Sequence, residues 1–416
     1  MAGTEQSEAV GGSAGAPGLL ARRQFLTRTL GFAAGMSLPG LARRARGAEA
    51  PPFRAAIIGH TGRGNYGHGH ELIFTGRPNI TVVAVADPDE PGRRQAAARA
   101  GARRSYADYR QMLEREKPHL VVVAPRWTGE HYAMARAALS AGAHVYLEKP
   151  ITQTLAEADE LLAAAARGGL RIVVAQQVRL APNILFLKQC LADGLMGELL
   201  EMRAQGKQDH RAGGEDLVVL GVHLFDLLRF FAGDPLWCAA RVRQGGREIT
   251  PADARPATEG IGPVAGDDLC AQFAFPQGVN ATFTSRIQNR ELAEPWGLEL
   301  IGARGAVKIL MDMVPRIYAR KGGSWTAQGR AGEWRVWEQD PTRGLSREQR
   351  SMAAANQRVV DDWLAAIAGR REPLCSGYAG MKALEMAMAV FAAGLARQRV
   401  AFPLANRNHP LRAPGS

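Results

Sequence analysis

Short apolar runs alternate with helical patterns through the first half of the chain. The runs are Ala55–Gly59, Ile80–Asp87, His119–Pro125, His144–Pro150 and Arg171–Gln177. Alanine-rich segments with helical spacing, such as 130–142 and 155–168, lie between them. Continuous apolar strands separated by helices predict a parallel sheet that is covered on both faces. Right-handed crossovers then give an α/β, doubly wound Rossmann-type fold.

After residue 195 the pattern changes to alternating, strand-like stretches. They are 199–205, 239–243, 269–275, 279–286, 298–302 and 307–311. Short polar turns separate them, which predicts an α+β domain with a large, mainly antiparallel open sheet. Residues 351–370 and 380–397 have helical spacing. We expect these two helices to return to the first domain.

The first fifty residues are typical of an export signal. Arg22 and Arg23 precede a weakly hydrophobic stretch, Leu30–Leu41, and Ala48–Ala50 has the small-x-small pattern of a cleavage site. The stretch is far shorter than the ~20 residues of a membrane span. The motif resembles the twin-arginine (Tat) signal, with Ala21 where Ser or Thr is usual. It predicts a periplasmic or other extracytoplasmic location without stable membrane insertion, and the alternative is a disordered basic tail.

The length of 416 residues favours more than one domain. We predict a signal peptide and flexible leader over 1–50, a Rossmann domain over 51–178 and a substrate and oligomerisation domain over 179–405. A short tail follows over 406–416. This division places the nucleotide site in the second segment.

Composition narrows the class of partner. Hydrophobic residues make up 46% of the chain and charged residues 22%, as in ordinary globular proteins. The formal net charge is +12, but the arginines are scattered and form no aromatic-interleaved basic motif, which argues against nucleic-acid binding. The excess of positive charge favours binding of anionic ligands or polyanionic glycans. The four cysteines lie far apart without a C-x-x-C pair, so they predict no metal site.

The first strand runs into a glycine-rich segment, GHTGRGNYG, at 59–67. Glycines let the backbone turn tightly and approach a pyrophosphate, whose charge meets N–H groups at a helix start. Asp87 ends the second strand about twenty residues later, where an acid accepts hydrogen bonds from the adenosine ribose and repels the extra phosphate of NADP. The pattern favours NAD over NADP; the alternative is a glycine-rich turn with a chance acid. The residues predicted to bind the dinucleotide here are Gly59, Thr61, Gly62, Arg63, Gly64 and Asp87.

His68 and His70 form an H-x-H pair just after this segment. A metal site needs further ligands held in place, and no acid or cysteine partner is evident in the sequence. We therefore expect no metal.

A longer constellation resembles the Gfo/Idh/MocA family of sugar and polyol oxidoreductases. The segment 138–150 ends in Glu-Lys-Pro, as the family's fifth-strand segment does. Residues 177–179 resemble its sixth-strand exit, and Gly221–Asp226 resembles its G-x-H-x-x-D helix. The helix 383–387 and the ending 400–404 also match, so the resemblance covers residues 53 to about 405.

The resemblance implies roles for residues at the nucleotide crevice. Lys149 and His223 would form the acid–base pair that handles the proton of a substrate hydroxyl, which hydride transfer from a carbinol requires. Glu148 would approach the nicotinamide ribose. From the residues alone, Lys149 could be a solvated loop lysine and His223 a core histidine. The remaining residues predicted to bind the cofactor are Pro125, His131 and Gln177.

One position departs from the family pattern. Many members have an Asp four residues before the histidine, and Val219 stands there. Glu215 and Asp216 lie just upstream and could supply the missing carboxylate. The departure puts a standard substrate and a simple dehydrogenase cycle in doubt. The residues predicted to contact substrate are Arg179, Asp209, His210, Glu215, Asp216 and Asp226.

The resemblance implies an exported NAD-dependent oxidoreductase that acts on a hydroxyl of a small carbohydrate. It also implies a homo-oligomer formed through the C-terminal sheet. One alternative is a redox-neutral glycoside hydrolase or epimerase that keeps NAD bound and regenerates it in each turnover. The other is a dinucleotide-binding protein without turnover.

Overall fold

A computed structural model describes residues 53–287, 296–322 and 332–412 of the chain. The predicted signal segment, 1–50, and the last four residues of the predicted tail lie outside the described residues. The described part contains two large sheets and nine α-helices.

The first sheet has six parallel strands in the order β3-β2-β1-β4-β5-β6. The strands are β1 Phe53–Ile58, β2 Ile80–Ala86, β3 Arg104–Tyr106, β4 Leu120–Val123, β5 His144–Leu147 and β6 Ile172–Val174. The helices between them are α1 Glu90–Ala100, α2 Tyr109–Glu116, α3 His131–Ser140 and α4 Leu155–Gly168. All four residues of β4 are fully buried, as expected of a strand covered on both faces. The predicted Rossmann-type sheet is confirmed.

The helix ends of this domain carry the expected local signals. The side chain of Thr154 accepts a hydrogen bond from the N–H of Glu157, and the Glu157 side chain accepts one from the N–H of Thr154. This capping box satisfies donors that the first turn of α4 leaves free. Gly169 ends the helix with a φ of 64°, a left-handed conformation that glycine adopts without strain.

The second sheet has ten strands and is mainly antiparallel. Its path is β17-β16-β15-β14-β7-β13-β12-β8-β18, and β9 pairs with β8. Among the described strands of this second sheet, only β7 and β13 are parallel neighbours. Its strands are β7 Leu199–Gln205, β8 Trp237–Gln244, β9 Arg247–Glu248, β12 Asp268–Ala274, β13 Asn280–Arg286, β14 Gly297–Gly302, β15 Gly305–Leu310, β16 Arg316–Lys321, β17 Arg335–Val336 and β18 Val400–Ala401. A separate two-stranded ribbon consists of β10 Arg255–Pro256 and β11 Pro263–Val264. The predicted C-terminal sheet is confirmed.

Five helices accompany this second sheet and connect it to the first. They are α5 Pro182–Ala192, α6 Gly214–Val219, α7 Gly221–Ala232, α8 Met352–Ala368 and α9 Gly377–Ala396. The N–H of Val174 in β6 donates to the carbonyl of Cys375, just before α9, at 2.8 Å. Helix α9 packs against both β6 and β8, whereas Val359, Val360 and Trp363 of α8 lie in the apolar core on the Rossmann sheet.

Helix α9 is long and apolar enough to cross a membrane, but 83% of its most apolar window is buried inside the protein. Burial of that extent is typical of a core helix. It forms part of the core that holds α7 against the second sheet.

Candidate functional site

The loop after β1 turns by means of glycines. Gly62 and Gly64 have φ angles of 84° and 80°, which residues with a Cβ atom rarely adopt. A Cβ on Gly64 would lie 2.3 Å from the backbone nitrogen of Arg126, so only glycine fits against the loop after β4. The expected helix start is not there: the described residues 59–79 hold turns and one 3-10 helix, His70–Leu72. Repeated positive φ angles interrupt a right-handed helix, which explains the difference.

Asp87 follows β2 directly and is 1% exposed. Its carboxylate accepts hydrogen bonds from the backbone N–H of Thr61 at 3.0 Å, the Thr61 hydroxyl at 2.8 Å and the backbone N–H of Asp89 at 2.9 Å. The acid thus holds the glycine-rich loop against the end of β2. Its contact with an adenosine ribose stays a prediction.

A cleft of about 360 Å³ opens beyond the carboxyl ends of β1 and β2. Gly59, Asp87, Tyr109 and Arg110 are among the residues that line it. Open parallel sheets bind ligands at such an end, near the point where the strand order reverses. In this sheet the order reverses between β1 and β4. Arg63 lies nearby, more than half exposed, with Nη1 3.2 Å from the carboxylate of Glu130.

Glu148 and Lys149 follow the last residue of β5, and the Lys149–Pro150 peptide bond is cis. Glu148 is fully buried, its Oε2 accepts a hydrogen bond from the N–H of Lys149 at 2.5 Å, and its Oε1 pairs with Nδ1 of His68. Burial alone raises the pKa of Glu148, but His68, His70 and Lys149 outweigh that effect and hold the pKa well below its usual range. The carboxylate is therefore a fixed negative charge beside Lys149.

Lys149 and His223, the predicted acid–base pair, meet at the junction of α6 and α7. Lys149 is 5% exposed, and its Nζ donates to the carbonyl of Val219 at 3.1 Å. Val219 ends α6, and His223 lies in the first turn of α7. Burial and then the charge of Lys149 lower the pKa of His223 to about 3, which keeps the imidazole neutral near pH 7.

His223 also has an unpaired nitrogen. Within the described part of the chain, its Nδ1 is buried and finds no hydrogen-bond partner. The ring centroid lies 6.4 Å from that of Trp296. An unsatisfied buried polar atom costs about 1–3 kcal/mol, so such an atom indicates a place where a ligand group is expected.

Val219 has no side-chain oxygen, but its carbonyl accepts the hydrogen bond of Lys149. The two upstream acids bond elsewhere. Glu215 accepts hydrogen bonds from the N–H of Thr258 at 3.0 Å and from its hydroxyl. Asp216 accepts one from the hydroxyl of Ser285 at 2.6 Å, and burial raises its pKa. None of the hydrogen bonds given by the described residues joins either acid to Lys149 or His223, and the contact of Glu215 and Asp216 with substrate stays a prediction.

Asp209 and His210 lie on the segment that leads into α6. Asp209 accepts two hydrogen bonds from the guanidinium of Arg211, at 3.1 and 2.7 Å, and Arg211 also pairs with Glu259 at 3.1 Å. The side chain of His210 is 69% exposed. Asp209 therefore orders this segment, while the contacts of Asp209 and His210 with substrate stay predictions.

Arg179 and Asp226 form a buried ion pair with each other. The Nε of Arg179 donates to a carboxylate oxygen of Asp226 at 2.8 Å, and its guanidinium also donates to the Asp226 carbonyl at 2.9 Å. Their side chains are 9% and 2% exposed. The pair joins the residues after β6 to α7, so it positions the helix that carries His223.

His131 connects the ends of two neighbouring strands. It is fully buried, with Nε2 2.7 Å from the carbonyl of Pro125, after β4, and Nδ1 2.8 Å from the carbonyl of Pro150, after β5. Both ring nitrogens are therefore occupied by backbone. This arrangement gives His131 a bracing function, and direct contact of His131 or Pro125 with the cofactor stays a prediction.

Asn356 is a polar residue of the site that the sequence patterns did not identify. It lies on α8, accepts a hydrogen bond from the Nε2 of Gln177 at 2.8 Å, and donates to the carbonyl of His68 at 3.1 Å. Its only sequence signal is an amide on the apolar face of a predicted helix. Gln177, predicted to bind the cofactor, is thus held by α8 at the end of β6.

The fold also brings Glu148 to the H-x-H pair. Ligand atoms of His68, His70 and Glu148 all lie within 4.8 Å of one another. The expectation that no metal binds was based on the lack of a third ligand near the two histidines. That premise was wrong, because β5 supplies the acid from 80 residues further along the chain.

These residues fit a nicotinamide dinucleotide. The glycine-rich loop keeps free a space that a Cβ would fill, and a cleft lies at the switch point of the parallel sheet. Gly59, Thr61, Gly62, Gly64 and Asp87 would hold the dinucleotide there. Lys149, after β5, and His223, on α7, are two proton-handling groups at the junction of α6 and α7.

Similar proteins include sugar dehydrogenases. D-apiose dehydrogenase of Paraburkholderia graminis is 27% identical over 349 residues, covering 82% of this chain and 87% of the relative. Levoglucosan dehydrogenase of Pseudarthrobacter phenanthrenivorans is 25% identical over 288 residues, covering 60% of this chain and 72% of the relative. A solved structure of levoglucosan dehydrogenase in complex with NADH and levoglucosan has a TM-score of 0.68 at 19% identity, covering 85% of this chain and 100% of that one.

Family comparison covers both sheets. Residues 53–176 match the oxidoreductase family domain with an NAD-binding Rossmann fold. Residues 201–402 match the C-terminal alpha/beta domain of the same oxidoreductase family. With both domains matched over more than half of its length, the chain belongs to the Gfo/Idh/MocA oxidoreductase family.

Proposed function

We propose that this protein is an NAD-dependent oxidoreductase that acts on a hydroxyl group of a sugar or sugar derivative. The observation that carries the proposal is the meeting of Lys149 and His223. The Nζ of Lys149 is anchored at 3.1 Å to the last residue of α6, and the nearby His223 has a buried, unpartnered nitrogen among the described residues. Two such groups at the carboxyl end of a parallel sheet suit proton transfer to or from a bound hydroxyl.

When bound, NAD accepts the hydride that leaves the carbinol carbon of the substrate. The chain's own residues handle the proton. In its unprotonated form, the amine of Lys149 would hydrogen-bond the substrate hydroxyl and take its proton, while the neutral imidazole of His223 would orient the same hydroxyl. Glu148 keeps a fixed negative charge next to Lys149, which offsets the accumulation of positive charge there.

Two relatives support a carbohydrate substrate. D-apiose dehydrogenase aligns with 82% of this chain, and levoglucosan dehydrogenase aligns with 60%. Asp209 and His210 lie on the segment that precedes α6, where polar side chains could contact sugar hydroxyls. The departure at Val219 favours a substrate whose binding does not use a carboxylate at that position.

The test is an assay of purified protein on a panel of free sugars, anhydrosugars and glycosides with NAD or NADP. We expect reduced nicotinamide to form with at least one sugar, and NAD to be preferred. A protein that binds the dinucleotide but produces neither reduced cofactor nor altered sugar across the panel would be a binding protein without turnover.

We further propose that residues 1–50 direct export and that the exported protein keeps its dinucleotide. Arg22 and Arg23 followed by an apolar stretch support export, and little free NAD is available outside the cytoplasm to sustain a dissociating cofactor. Replacing both arginines with lysine should leave uncut precursor in the cytoplasm. Native protein recovered uncut from the cytoplasm would contradict the proposal.

Retention of the cofactor has its own test, which also distinguishes net oxidation from redox-neutral chemistry. Purified protein is dialysed and then assayed on sugars and glycosides with and without added NAD. Turnover without added NAD indicates a cofactor regenerated in each cycle. Loss of cofactor on gel filtration, with activity proportional to added NAD, indicates an ordinary dehydrogenase.

A homo-oligomer formed through the second sheet completes the proposal. Part of that sheet carries half-exposed ion pairs, Arg203 with Glu201 and Lys308 with Glu299. Light scattering coupled to size-exclusion chromatography measures the oligomeric state directly. A monomer at working concentration would contradict the proposed homo-oligomer.

A further inference from the structure

His68, His70 and Glu148 form a three-residue cluster, and the proposed function assigns no task to the two imidazoles. The cluster joins the end of the glycine-rich loop to the end of β5. Nδ1 of His68 contacts Oε1 of Glu148, while His70 and Glu148 are completely buried. Two imidazoles and one carboxylate are a ligand set that several divalent transition metals accept.

His70 provides an independent indication of a ligand. It is fully buried, and within the described part of the chain neither of its ring nitrogens has a hydrogen-bond partner. Each ring nitrogen of His131, the other fully buried histidine of this domain, instead lies next to a backbone carbonyl, at 2.8 and 2.7 Å. Buried polar atoms are nearly always satisfied, and an ion would satisfy one of these two nitrogens of His70.

Gly67 leaves free the space next to the ligand atoms of this cluster. Gly67 has a φ of 59°, and a Cβ added there would lie 3.1 Å from Nδ1 of His70 and 3.3 Å from Oε1 of Glu148. The two ligand atoms therefore face the same small volume beside Gly67. All three ligand atoms lie within 4.8 Å of one another. Metal–ligand bonds of about 2.0–2.2 Å need ligand atoms roughly 3–3.5 Å apart, so the three side chains must rearrange when the ion binds.

We propose that His68, His70 and Glu148 bind one divalent transition-metal cation, of the class of Zn²⁺, Mn²⁺ or Fe²⁺. Ca²⁺ and Mg²⁺ prefer all-oxygen sites, so two imidazoles exclude them as the preferred occupants. The His68 side chain is 31% exposed whereas the other two ligands are buried. The remaining coordination positions therefore lie on the His68 side, where water or a substrate oxygen can enter.

Neighbouring groups hold each ligand in place, as outer contacts do at metal sites. The carbonyl of His68 accepts a hydrogen bond from Asn356, and the ring of His70 packs edge-on against Tyr146 at 5.1 Å between centroids. Oε2 of Glu148 accepts the N–H of Lys149. A cation on Glu148 would thus be one residue away from the proposed proton-transfer group.

The test uses the full chain, purified with a tag that contains no histidine and stripped with a chelator. Zn²⁺ is titrated by calorimetry, and Co²⁺ by its visible absorption, which reports nitrogen and oxygen coordination. We expect one equivalent to bind and the melting temperature to rise with Zn²⁺, because a cation that binds the folded chain stabilises it. In His68→Gln and in His68→Ala/His70→Ala the affinity should fall more than about 100-fold.

His60→Ala is the matched control. His60 also pairs with an acid, Glu130, at 2.7 Å, but among the described residues no third ligand atom of a His, Cys, Asp or Glu completes a metal site there. Its Zn²⁺ stoichiometry should equal that of the unmodified chain. His68→Gln changes a partly exposed residue and is expected to fold even if the double variant does not. Equal Zn²⁺ binding by the unmodified chain and His68→Gln, or no binding by the unmodified chain, would overturn the proposal, and neither result depends on the sugar or on NAD.

Discussion

The nucleotide cleft and the junction of α6 and α7, where Lys149 lies, differ in how far the hydrogen bonds of their polar side chains are satisfied. At the cleft, the carboxylate of Asp87 is fully engaged with the backbone and side chain around Thr61. At the junction of α6 and α7, Nδ1 of His223 is buried without a partner among the described residues.

The difference separates residues that shape the site from residues that are available to a ligand. A polar group whose bonds are all made within the protein contributes rigidity, and moving it to a ligand would cost those bonds. A buried group without a partner carries a cost that a ligand can remove. Lys149 lies between these cases, because one hydrogen bond to Val219 leaves its other donor positions available.

The largest expected effect is on Lys149. Lys149→Ala should reduce turnover by roughly 10²–10⁴-fold, the usual contribution of a positioned acid or base, while dinucleotide affinity changes little. Steady-state kinetics and a binding titration measure both quantities. Lys188→Ala is the control, because Lys188 also donates to a backbone carbonyl, that of Phe230, but lies on α5. Unchanged kcat in Lys149→Ala would remove this residue from the mechanism.

The next largest effect is expected on stability, at the buried ion pair of Arg179 and Asp226. Asp226→Ala leaves the guanidinium of Arg179 buried without its partner and should lower the free energy of unfolding by about 3–5 kcal/mol. Denaturant unfolding measures it. In the exposed pair of Arg94 and Glu90, Glu90→Ala should cost no more than about 1 kcal/mol. Similar losses in the two variants would show that the 179–226 pair does not fix α7.

His223→Asn should reduce turnover by roughly 10²-fold with little change in melting temperature, because the imidazole supplies a free nitrogen rather than an internal bond. Kinetics and thermal unfolding are measured on the same preparation. A variant that melts much earlier but keeps its specific activity would identify His223 as a core residue.

Asp87→Ser should weaken NAD binding about tenfold and narrow the gap to NADP, since one hydrogen-bonding acid is lost. Asp108→Ser is the control: Asp108 lines the same cleft, and serine can keep its capping bond to the N–H of Arg110. Fluorescence titration measures the affinities of the unmodified protein and of both variants for NAD and for NADP. Tighter binding of NADP than NAD by the unmodified protein would show that Asp87 does not contact the adenosine ribose.

The smallest effect is expected at His409, a buried histidine far along the chain whose Nε2 also has no partner among the described residues. Burial and then Arg412 lower its pKa to about 3 from 6.5. Between these values the unfolded chain takes up a proton that the folded chain does not, so stability falls as the pH drops through that window. His409→Gln should reduce the slope of unfolding free energy against pH by one proton. An unchanged slope would show that burial does not lower the pKa of His409 in the folded chain.

The sequence patterns predicted the features that depend on local order. Apolar runs determine the parallel strands because both faces of the sheet are buried, and the glycines at 59–67 indicate a tight turn. They did not predict that this turn continues without an α-helix, since that depends on the backbone of Arg126 packing against Gly64.

Side-chain partners were less accessible from the sequence. Glu148 and His68 are 80 residues apart, Gln177 and Asn356 are 179 apart, and Ser285 and Asp216 are 69 apart. No local period encodes such pairs, so residues such as Asp216 were predicted to face a ligand although the fold engages them internally.

The central claim is that a carbinol hydrogen passes from a sugar to the dinucleotide while Lys149 handles the proton. Mass spectrometry of the nicotinamide measures this directly after the protein is incubated with a sugar deuterated at the oxidised carbon. The account predicts deuterium in the dinucleotide of the unmodified protein within a single turnover, before any return of the hydride to the sugar, and a far lower rate of transfer in Lys149→Ala. A dinucleotide that gains no deuterium in that single turnover while the sugar is oxidised, or equal transfer in both proteins, would contradict it.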